Sequence, residues 1–324
     1  MTYAIVARQQ GGSDVLEQVE IAKPSPAAGE VLVRHAAIGV NFIDTYFRTG
    51  LYPWPVDKDL VLGSEAAGVI DAVGDGVSDF IVGERVAYTI PNGAYVSHRV
   101  IDAKHLVKLP DTISDEVAAA SMLKGLTAHY LLHRSYVAEA GRKVLFHAAA
   151  GGVGLIAGQW LAAKGVTAYG TAGGAEKCAL AATHGYSKMI DYKSEDFVER
   201  VKEITDGQGV DAVYDSIGKD TYPGSLQCLK NFGSLVSFGQ SSGPALDFKL
   251  SDLAVGSYSV TRPVLFHFTA EPGYLQSAAD ELFAMISSGE IKISINQKFN
   301  LSDVAKAHDQ LETRKTTGST VLLP

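Results

Sequence analysis

The hydrophobic pattern divides the chain into two kinds of sequence. Up to about residue 120, short apolar runs are interrupted at close spacing by Gly, Pro and Asp, as at residues 30–34, 66–73, 85–88 and 94–97. Short strands with turns at this spacing predict a small β-rich barrel or sandwich. The rhythm changes near residue 115, where two segments, 117–122 and 126–132, look helical.

From there to about residue 240, strand-like and helix-like segments alternate. The predicted strands are 144–148, 166–171, 189–192, 211–215 and 234–238, and the predicted helices are 153–164, 176–184, 195–205 and 223–230. This alternation predicts an α/β fold with a doubly wound parallel sheet, whose ligands bind at the carboxyl ends of the strands. The tail, with helices near 278–287 and 304–312 and a strand at 319–323, is short for a third domain. We therefore expect it to complete the first domain.

The most informative segment is a glycine-rich turn between an apolar strand and a helix, with the sequence AAAGGVG at residues 148–154. Glycine lets backbone N–H groups approach a pyrophosphate, and the helix start adds unpaired donors and the positive end of its dipole. Ala149 stands at the first glycine position of G-x-G-x-x-G, while Gly151 and Gly154 hold the second and third. The context favours a dinucleotide site over an ordinary tight turn.

The sequence after this turn favours NADPH over NADH. An NAD site usually presents an acid to the ribose about 20 residues beyond the turn. Here the second strand instead ends in residues 168–174, AYGTAGG, without a carboxylate that would repel a 2′-phosphate. Lys177 follows and offers a compensating cation. A solvated helix lysine is the alternative interpretation.

Composition excludes several other classes of function. The 324 residues are 46% hydrophobic and 20% charged, with a net charge of −8 and no basic cluster, which argues against nucleic acid or an anionic membrane as partner. No apolar run approaches the roughly 20 residues of a membrane span, and the N-terminus has no basic leader. Cys178 and Cys228 suit small apolar packing in a reduced compartment. We expect a cytoplasmic protein.

The residues that would hold a catalytic zinc are also missing from the sequence. The nine histidines are scattered, without an H-x-x-H pattern or a close cysteine, and we expect His147 to be a buried structural residue. No G-x-S-x-G motif supports a serine hydrolase.

Several motifs together resemble one family. Beside the glycine turn, they are YDSIG at 214–218, SFGQSSG at 237–243, VTRP at 260–263, and Arg314 followed by TGS at 317–319. The chain is similar over its full length to the zinc-free quinone oxidoreductase, or zeta-crystallin-like, branch of the medium-chain dehydrogenase/reductase superfamily. Zinc-dependent relatives carry Cys where Asn41 stands and His where Ser64 stands. They also carry a four-cysteine insertion that is absent here.

The resemblance implies a Rossmann domain that binds NADPH at residues 123–264 and a GroES-like catalytic domain at 1–122, completed by 265–324. In the family, Lys177, Tyr192 and Arg314 would surround the 2′-phosphate, with Gly173 at the same turn. Gly151, Gly152, Val153 and Gly154 would hold the pyrophosphate. The remaining cofactor contacts implied for the ribose and nicotinamide are Asn41, Tyr46, Thr127, Ser216, Phe238, Gly239, Gln240, Ser241, Val264 and Phe266.

The resemblance also implies a substrate cleft between the domains, lined by Asn41, Tyr46 and Tyr52. Asn41 can donate to a carbonyl oxygen and the tyrosines can stack on a flat ring, although residues 52–55 also read as a rigid aromatic loop. Glu65 is expected to be structural. The expected reaction is hydride transfer from NADPH to a quinone without metal. An alkenal or enone reductase and a non-catalytic NADPH-binding protein are the alternatives. A homodimer formed through residues 258–261 is expected, with a protected edge strand as the alternative.

Overall fold

The computed structural model describes residues 2–324, which form two compact units. The first unit comprises Met1–Lys124, Thr269–Ser287 and Ile293–Pro324. The second unit comprises Gly125–Phe268 and Ser288–Lys292.

The first unit is built on two β-sheets. Its elements are β1 (Thr2–Ala7), β2 (Leu16–Ile21), β3 (Glu30–Val40), α1 (Phe42–Arg48), β4 (Leu60–Val61), β5 (Glu65–Val73), β6 (Arg85–Thr89), β7 (His98–Asp102), β8 (Leu106–Lys108) and the first part of α2 (Asp115–Tyr130). A three-stranded sheet has the order β2-β1-β4. In the seven-stranded sheet, β3 pairs with β5 and β7, and β6 and β8 continue beyond β5. Alternating buried residues such as Val31, Val33 and Ile70 form its core.

The second unit contains a six-stranded parallel sheet. Its elements are the second part of α2, β9 (Lys143–Phe146), α3 (Gly152–Ala163), β10 (Thr167–Ala172), α4 (Ala175–Ala182), β11 (Lys188–Asp191), α5 (Phe197–Ile204), β12 (Val210–Asp215), α6 (Tyr222–Gln227), β13 (Leu229–Ser237), β14 (Ser259–Thr261) and most of α7 (Leu265–Thr269). The strand order is β11-β10-β9-β12-β13-β14, and every pairing is parallel. This confirms the predicted α/β class with a doubly wound sheet.

Two details of the predicted elements were wrong. Residues 229–230 belong to β13 and not to a helix, because buried Leu229 pairs with Val210 of β12, and this long-range contact outweighs the local helical pattern. Residues 94–97 form no strand of their own, since their backbone bonds to β1 are irregular and leave a single bridge from Ala4 to Val96.

The C-terminal tail contributes α8 (Tyr274–Ser288), β15 (Ile295–Asn300), α9 (Val304–Glu312) and β16 (Ser319–Leu323). Strand β16 pairs antiparallel with β3 and parallel with β15, so the last strand joins the larger sheet of the first unit. Across residues 2–324, the helices are too short or too polar for any of them to cross a membrane.

Candidate active site

The glycine turn places free N–H groups at the carboxyl end of β9. Helix α3 begins at Gly152, and the amide of Leu155 makes its first helical bond, to the carbonyl of Gly151 at 2.9 Å. A Cβ at Gly154 would lie 2.5 Å from the Ala148 carbonyl oxygen, so only glycine lets the helix start this close to the turn. Ala148 itself has a φ of +55°. This left-handed backbone is uncommon for alanine. The turn therefore fits a pyrophosphate.

The next turn, from β10 to α4, is held by a carboxylate from a third strand. Asp191 Oδ1 accepts the amide of Gly174 at 2.7 Å and that of Lys193 at 3.0 Å. These backbone hydrogen bonds lower the pKa of Asp191. The end of β10 carries no acid, as the sequence shows. The sequence pattern did not place Asp191 at this turn, because Asp191 belongs to the next strand, β11. Its oxygen is already used to shape the turn.

Tyr192 and Lys177 lie at this same turn. A Cβ at Gly173 would lie 2.5 Å from the Tyr192 hydroxyl oxygen, so the missing side chain makes room for the phenol. Lys177 is a half-buried residue of α4, three residues beyond Gly174. The phenol of Tyr192 therefore lies against Gly173, and Lys177 lies in the first turn of the helix that begins after Gly174.

The ends of β12 and β13 come into close contact. The amide of Ser241 donates to the Ser216 carbonyl at 3.1 Å, and a Cβ at Gly239 would lie 2.7 Å from the same oxygen. Buried Asp215 accepts the amides of Ile217 and Gly218, which fixes the loop after β12. The loops that follow β12 and β13 are therefore held against each other by a backbone hydrogen bond.

His147 is a buried structural residue, as predicted. Its Nδ1 is 2.9 Å from the Thr171 hydroxyl and its Nε2 is 3.0 Å from the Ser225 hydroxyl, which in turn donates to Asp215. Burial lowers the pKa of His147. The histidine links the ends of β9, β10 and β12 beneath the glycine turn.

In the first unit, Asn41 caps α1 and is held by two buried carboxylates. Its backbone amide donates to Asp44 Oδ2 at 2.9 Å, and its side-chain Nδ2 donates to Glu65 Oε1 at 2.9 Å. The Asn41 side-chain amide, which we expect to donate to the substrate, therefore already uses one of its two hydrogens in a bond within the protein. Glu65 also accepts from Lys124 Nζ at 2.5 Å and from the amide of Leu123 at 2.6 Å.

Asp44 is the centre of a second hydrogen-bonded chain. It accepts from the Ser64 hydroxyl at 2.8 Å and the Tyr95 hydroxyl at 2.9 Å. Tyr95 is 2.9 Å from Nε2 of His308, whose Nδ1 is 3.1 Å from the guanidinium of Arg48. Because an arginine can only donate, Nδ1 is the acceptor, so the chain of donors runs from Arg48 through His308 and Tyr95 to Asp44. Burial lowers the pKa of His308 to about 3, which keeps it neutral.

An aromatic cluster surrounds Tyr46 and Tyr52. Their rings meet edge to face at 5.2 Å, and Phe42 and Phe47 pack against them at 6.4 and 5.6 Å. The indole of Trp54 donates to the Phe47 carbonyl at 2.6 Å and so closes the loop after α1. The sequence indicated a rigid aromatic loop here, and the structure has one.

The remaining candidates are distributed over both units. Thr127 is buried in α2, Val264 directly precedes α7 and Phe266 lies in α7; all three belong to the second unit. Arg314 belongs to the first unit and has a φ of +58° just after α9, where glycine is the usual residue. Among the side chains of residues 2–324, His, Cys, Asp and Glu form no group of three or more that could hold a metal ion.

Comparison with known proteins decides the family. Residues 27–111 match the alcohol dehydrogenase GroES-like domain, and residues 184–322 match the zinc-binding dehydrogenase family. Over 316 residues, 97% of each chain, the sequence is 52% identical to the quinone oxidoreductase of Pseudomonas aeruginosa. The chain belongs to the quinone oxidoreductase branch of the medium-chain dehydrogenase/reductase superfamily. This confirms the resemblance predicted from the motifs.

Two further relatives are informative. The crystal structure of Escherichia coli quinone oxidoreductase complexed with NADPH superposes with a TM-score of 0.97 at 47% identity, covering 100% of both chains. The 2-haloacrylate reductase of a Burkholderia species is 43% identical over 334 residues, covering 100% of this chain and 99% of the relative. The zinc-binding dehydrogenase match covers residues 184–322 and does not include positions 41 and 64.

Proposed function

We propose that this protein reduces quinones with NADPH by hydride transfer without a metal. The observation that carries the proposal is the 47–52% identity, over nearly the whole chain, to quinone oxidoreductases, one of them solved with NADPH. The geometry of each unit is consistent with it. The second unit is proposed to bind NADPH, and the first unit to hold the acceptor.

The residues proposed for NADPH follow the strand ends. The amides of Gly152, Val153 and Gly154 would hold the pyrophosphate, because they precede the first helical hydrogen bond of α3. Lys177 and Tyr192 would hold the 2′-phosphate at the turn that Asp191 shapes. Arg314 stays a proposed contact of the 2′-phosphate, because its guanidinium can form paired, charge-assisted hydrogen bonds with phosphate oxygens.

The remaining proposed cofactor residues supply backbone and ring contacts. Ser216, Phe238, Gly239, Gln240 and Ser241 would contact the ribose and nicotinamide from the ends of β12 and β13. Asn41, Tyr46, Thr127, Val264 and Phe266 would complete the surroundings of the nicotinamide, and Gly151 and Gly173 give the backbone room.

The first unit is proposed to bind the quinone through Asn41, Tyr46 and Tyr52. When bound, NADPH supplies a hydride, two electrons and one hydrogen, to the acceptor. Asn41 would donate its second Nδ2 hydrogen to the carbonyl oxygen, where negative charge develops. The tyrosine rings would align the flat acceptor and exclude water. A proton from water or a tyrosine completes the hydroquinone. Because the reduced quinone is a delocalised phenolate, a hydrogen-bond donor suffices in place of a Lewis acid.

The test is a screen of both coenzymes against several ortho- and para-quinones. We expect NADPH oxidation to require a quinone, with one hydroquinone formed per NADPH, and NADH to be a poorer donor. Absence of turnover with every quinone, despite tight NADPH binding, would refute the proposal and favour a non-catalytic NADPH-binding protein.

The second candidate is a carbon–carbon double-bond reductase. The 43% identity to a 2-haloacrylate reductase over the whole chain favours this possibility specifically. Fold and hydride donor would be the same, but the hydride would go to the β-carbon of an activated alkene. Comparing kcat/KM for a quinone with that for an α,β-unsaturated aldehyde and a haloacrylate separates the two candidates.

We further propose a homodimer formed through the edge of the parallel sheet. Strand β14 pairs only with β13, so its outer side lacks a partner strand within the described chain. Large apolar side chains are exposed in β13, in β14 and in the segment that joins these two strands, namely Phe232, Leu246, Leu250, Val255 and Val260. A second copy related by a two-fold axis would extend the sheet and cover them. The cytoplasmic location stays a prediction.

A further inference from the structure

The Asn41 amide has one hydrogen-bonding partner whose chemistry is unambiguous. Glu65 lies opposite Gly39 in the pairing of β3 with β5, and its Oε1 accepts from Asn41 Nδ2 at 2.9 Å. A carboxylate only accepts hydrogen bonds, whereas an amide has a donor end and an acceptor end. Turning the Asn41 amide over would set its Oδ1 against Glu65 and leave two acceptors facing each other in a buried site.

Glu65 is itself held in one place from three directions. Its Oε1 accepts from Lys124 Nζ as well as from Asn41, and its Oε2 accepts from the amide of Leu123 in α2. The Glu65 side chain is 0% exposed, and that of Lys124 is 7% exposed. A Cβ at Gly39 would lie 2.2 Å from Oε1, so glycine at this position makes the space for the carboxylate.

We propose that Glu65 is a positioning residue for the reaction, because its carboxylate holds the Asn41 amide in the one orientation that offers an N–H group to the carbonyl oxygen of the acceptor. Lys124 holds Glu65 in place and balances its charge. This inference rests on the proposed function, in which Asn41 contacts the acceptor. It also assigns a mechanistic role to an acid that the sequence marked as structural.

Glutamine at position 65 cannot replace the carboxylate. If the glutamine Nε2 faces the backbone amide of Leu123, two hydrogen-bond donors face each other. If Nε2 instead faces Lys124 Nζ and Asn41 Nδ2, donors again face each other, and the Asn41 amide can then turn over so that its Oδ1 accepts from the glutamine. The amide hydrogen is thereby moved away from the place where the oxygen charge develops. Loss of one such donor slows a reaction by about 100- to 1000-fold, and partial misorientation by less.

The experiment is a double-mutant cycle with Asn41→Ala, Glu65→Gln and the two combined, measured as NADPH-dependent reduction of one 1,4-quinone. We expect N41A to lower kcat about 100-fold and E65Q to lower it about 10-fold or more, with little change in KM. If Glu65 acts through Asn41, the double variant retains the rate of N41A within about twofold. Multiplication of the two losses would show a separate structural effect and overturn the proposal.

Asp211→Asn is the matched control. Asp211 is another buried carboxylate, and it accepts from a lysine, Lys230, at 2.5 Å, from the Arg142 side chain at 3.1 Å and from the backbone amide of Lys143 at 2.8 Å. It lies at the amino end of β12, away from the strand ends that carry the candidate site. D211N therefore makes the same chemical change in a similar cluster, and we expect kcat within about twofold of the wild type.

A neutral pair guards against misfolding of E65Q. Glu65→Gln with Lys124→Met removes both charges and leaves no buried ion unpaired, which is often tolerated. We expect this variant to lose activity as E65Q does, and adding N41A to cause no further loss. If N41A itself retains full activity, the role of Asn41 and the positioning role of Glu65 both fail. If the wild type does not reduce quinones, the proposed function fails first.

Discussion

Replacing Asp44 by asparagine should change how the stability of the first unit depends on pH. Asp44 is 0% exposed, and burial raises its pKa from 3.8 to about 6, although the Ser64 hydroxyl, the Asn41 amide and the Tyr95 hydroxyl each donate to it and Lys124 adds a favourable charge. Since the pKa is raised in the folded state, the stability contributed by this group is fully present below pH 3.8 and is lost as the pH rises through about 6.

The size of this effect follows from the two pKa values. Over the complete titration the difference amounts to about 3 kcal/mol, because each pH unit between the folded and unfolded pKa corresponds to about 1.4 kcal/mol. Between pH 5 and pH 8, where only part of the titration falls, the wild type should lose about 1.4 kcal/mol of unfolding free energy relative to D44N. Asparagine has no charge to bury and therefore has no such dependence.

The assay is urea unfolding at pH 5 and pH 8, followed by tryptophan fluorescence. The chain has two tryptophans, with Trp54 in the first unit and Trp160 in the second, so a Trp160→Phe background reports the unit that contains Asp44. As a control, Asp71→Asn in the same unit should show no change over this range, because a hydrogen bond from Lys23 lowers the pKa of Asp71. A difference between wild type and D44N that is equal at both pH values would refute the reasoning.

Three further predictions concern the cofactor site and the sheet edge. Lys177→Ala and Arg314→Gly should each weaken NADPH binding about 10-fold or more without affecting NADH binding, measured by fluorescence titration. Glycine is chosen at position 314 because it adopts the left-handed backbone without strain, so the substitution adds no strain of its own. Equal losses for both coenzymes would contradict the 2′-phosphate role. Gly154→Ala should weaken the binding of both coenzymes at least about 10-fold. The added Cβ would lie 2.5 Å from the Ala148 carbonyl oxygen and would push α3 away from the turn. Unchanged affinity would show that the turn does not hold the pyrophosphate. Val260→Lys should convert a dimer to monomers in sedimentation, whereas Val137→Lys, a similar change at another exposed valine, should not; a V260K dimer would place the interface elsewhere.

The sequence predicted the elements whose signals are local. The glycine turn, the alternating strands of the second unit and the burial of His147 follow from short patterns, because strand periodicity and glycine spacing are properties of adjacent residues. Strand β13 was misread at its start because Leu229 is a strand residue only through its pairing with Val210.

The parts of the site that escaped prediction depend on contacts between distant residues. Glu65 and Lys124 are 59 residues apart, and the hydrogen-bonded series from Asp44 to His308 joins residues more than two hundred positions apart. No local sequence pattern therefore predicts either contact. Asp191 was overlooked because the expected acid was sought at the end of the second strand, while the carboxylate arrives from the third. Tertiary structure alone shows that Asn41 is held by two carboxylates.

The central claim is tested most directly by mixing the purified protein, loaded with one equivalent of NADPH, with a 1,4-quinone. The account predicts that the bound NADPH is consumed in a single turnover with one equivalent of hydroquinone formed, and that N41A slows this step about 100-fold. NADPH that remains reduced in the presence of excess quinone, or equal rates for wild type and N41A, would contradict it.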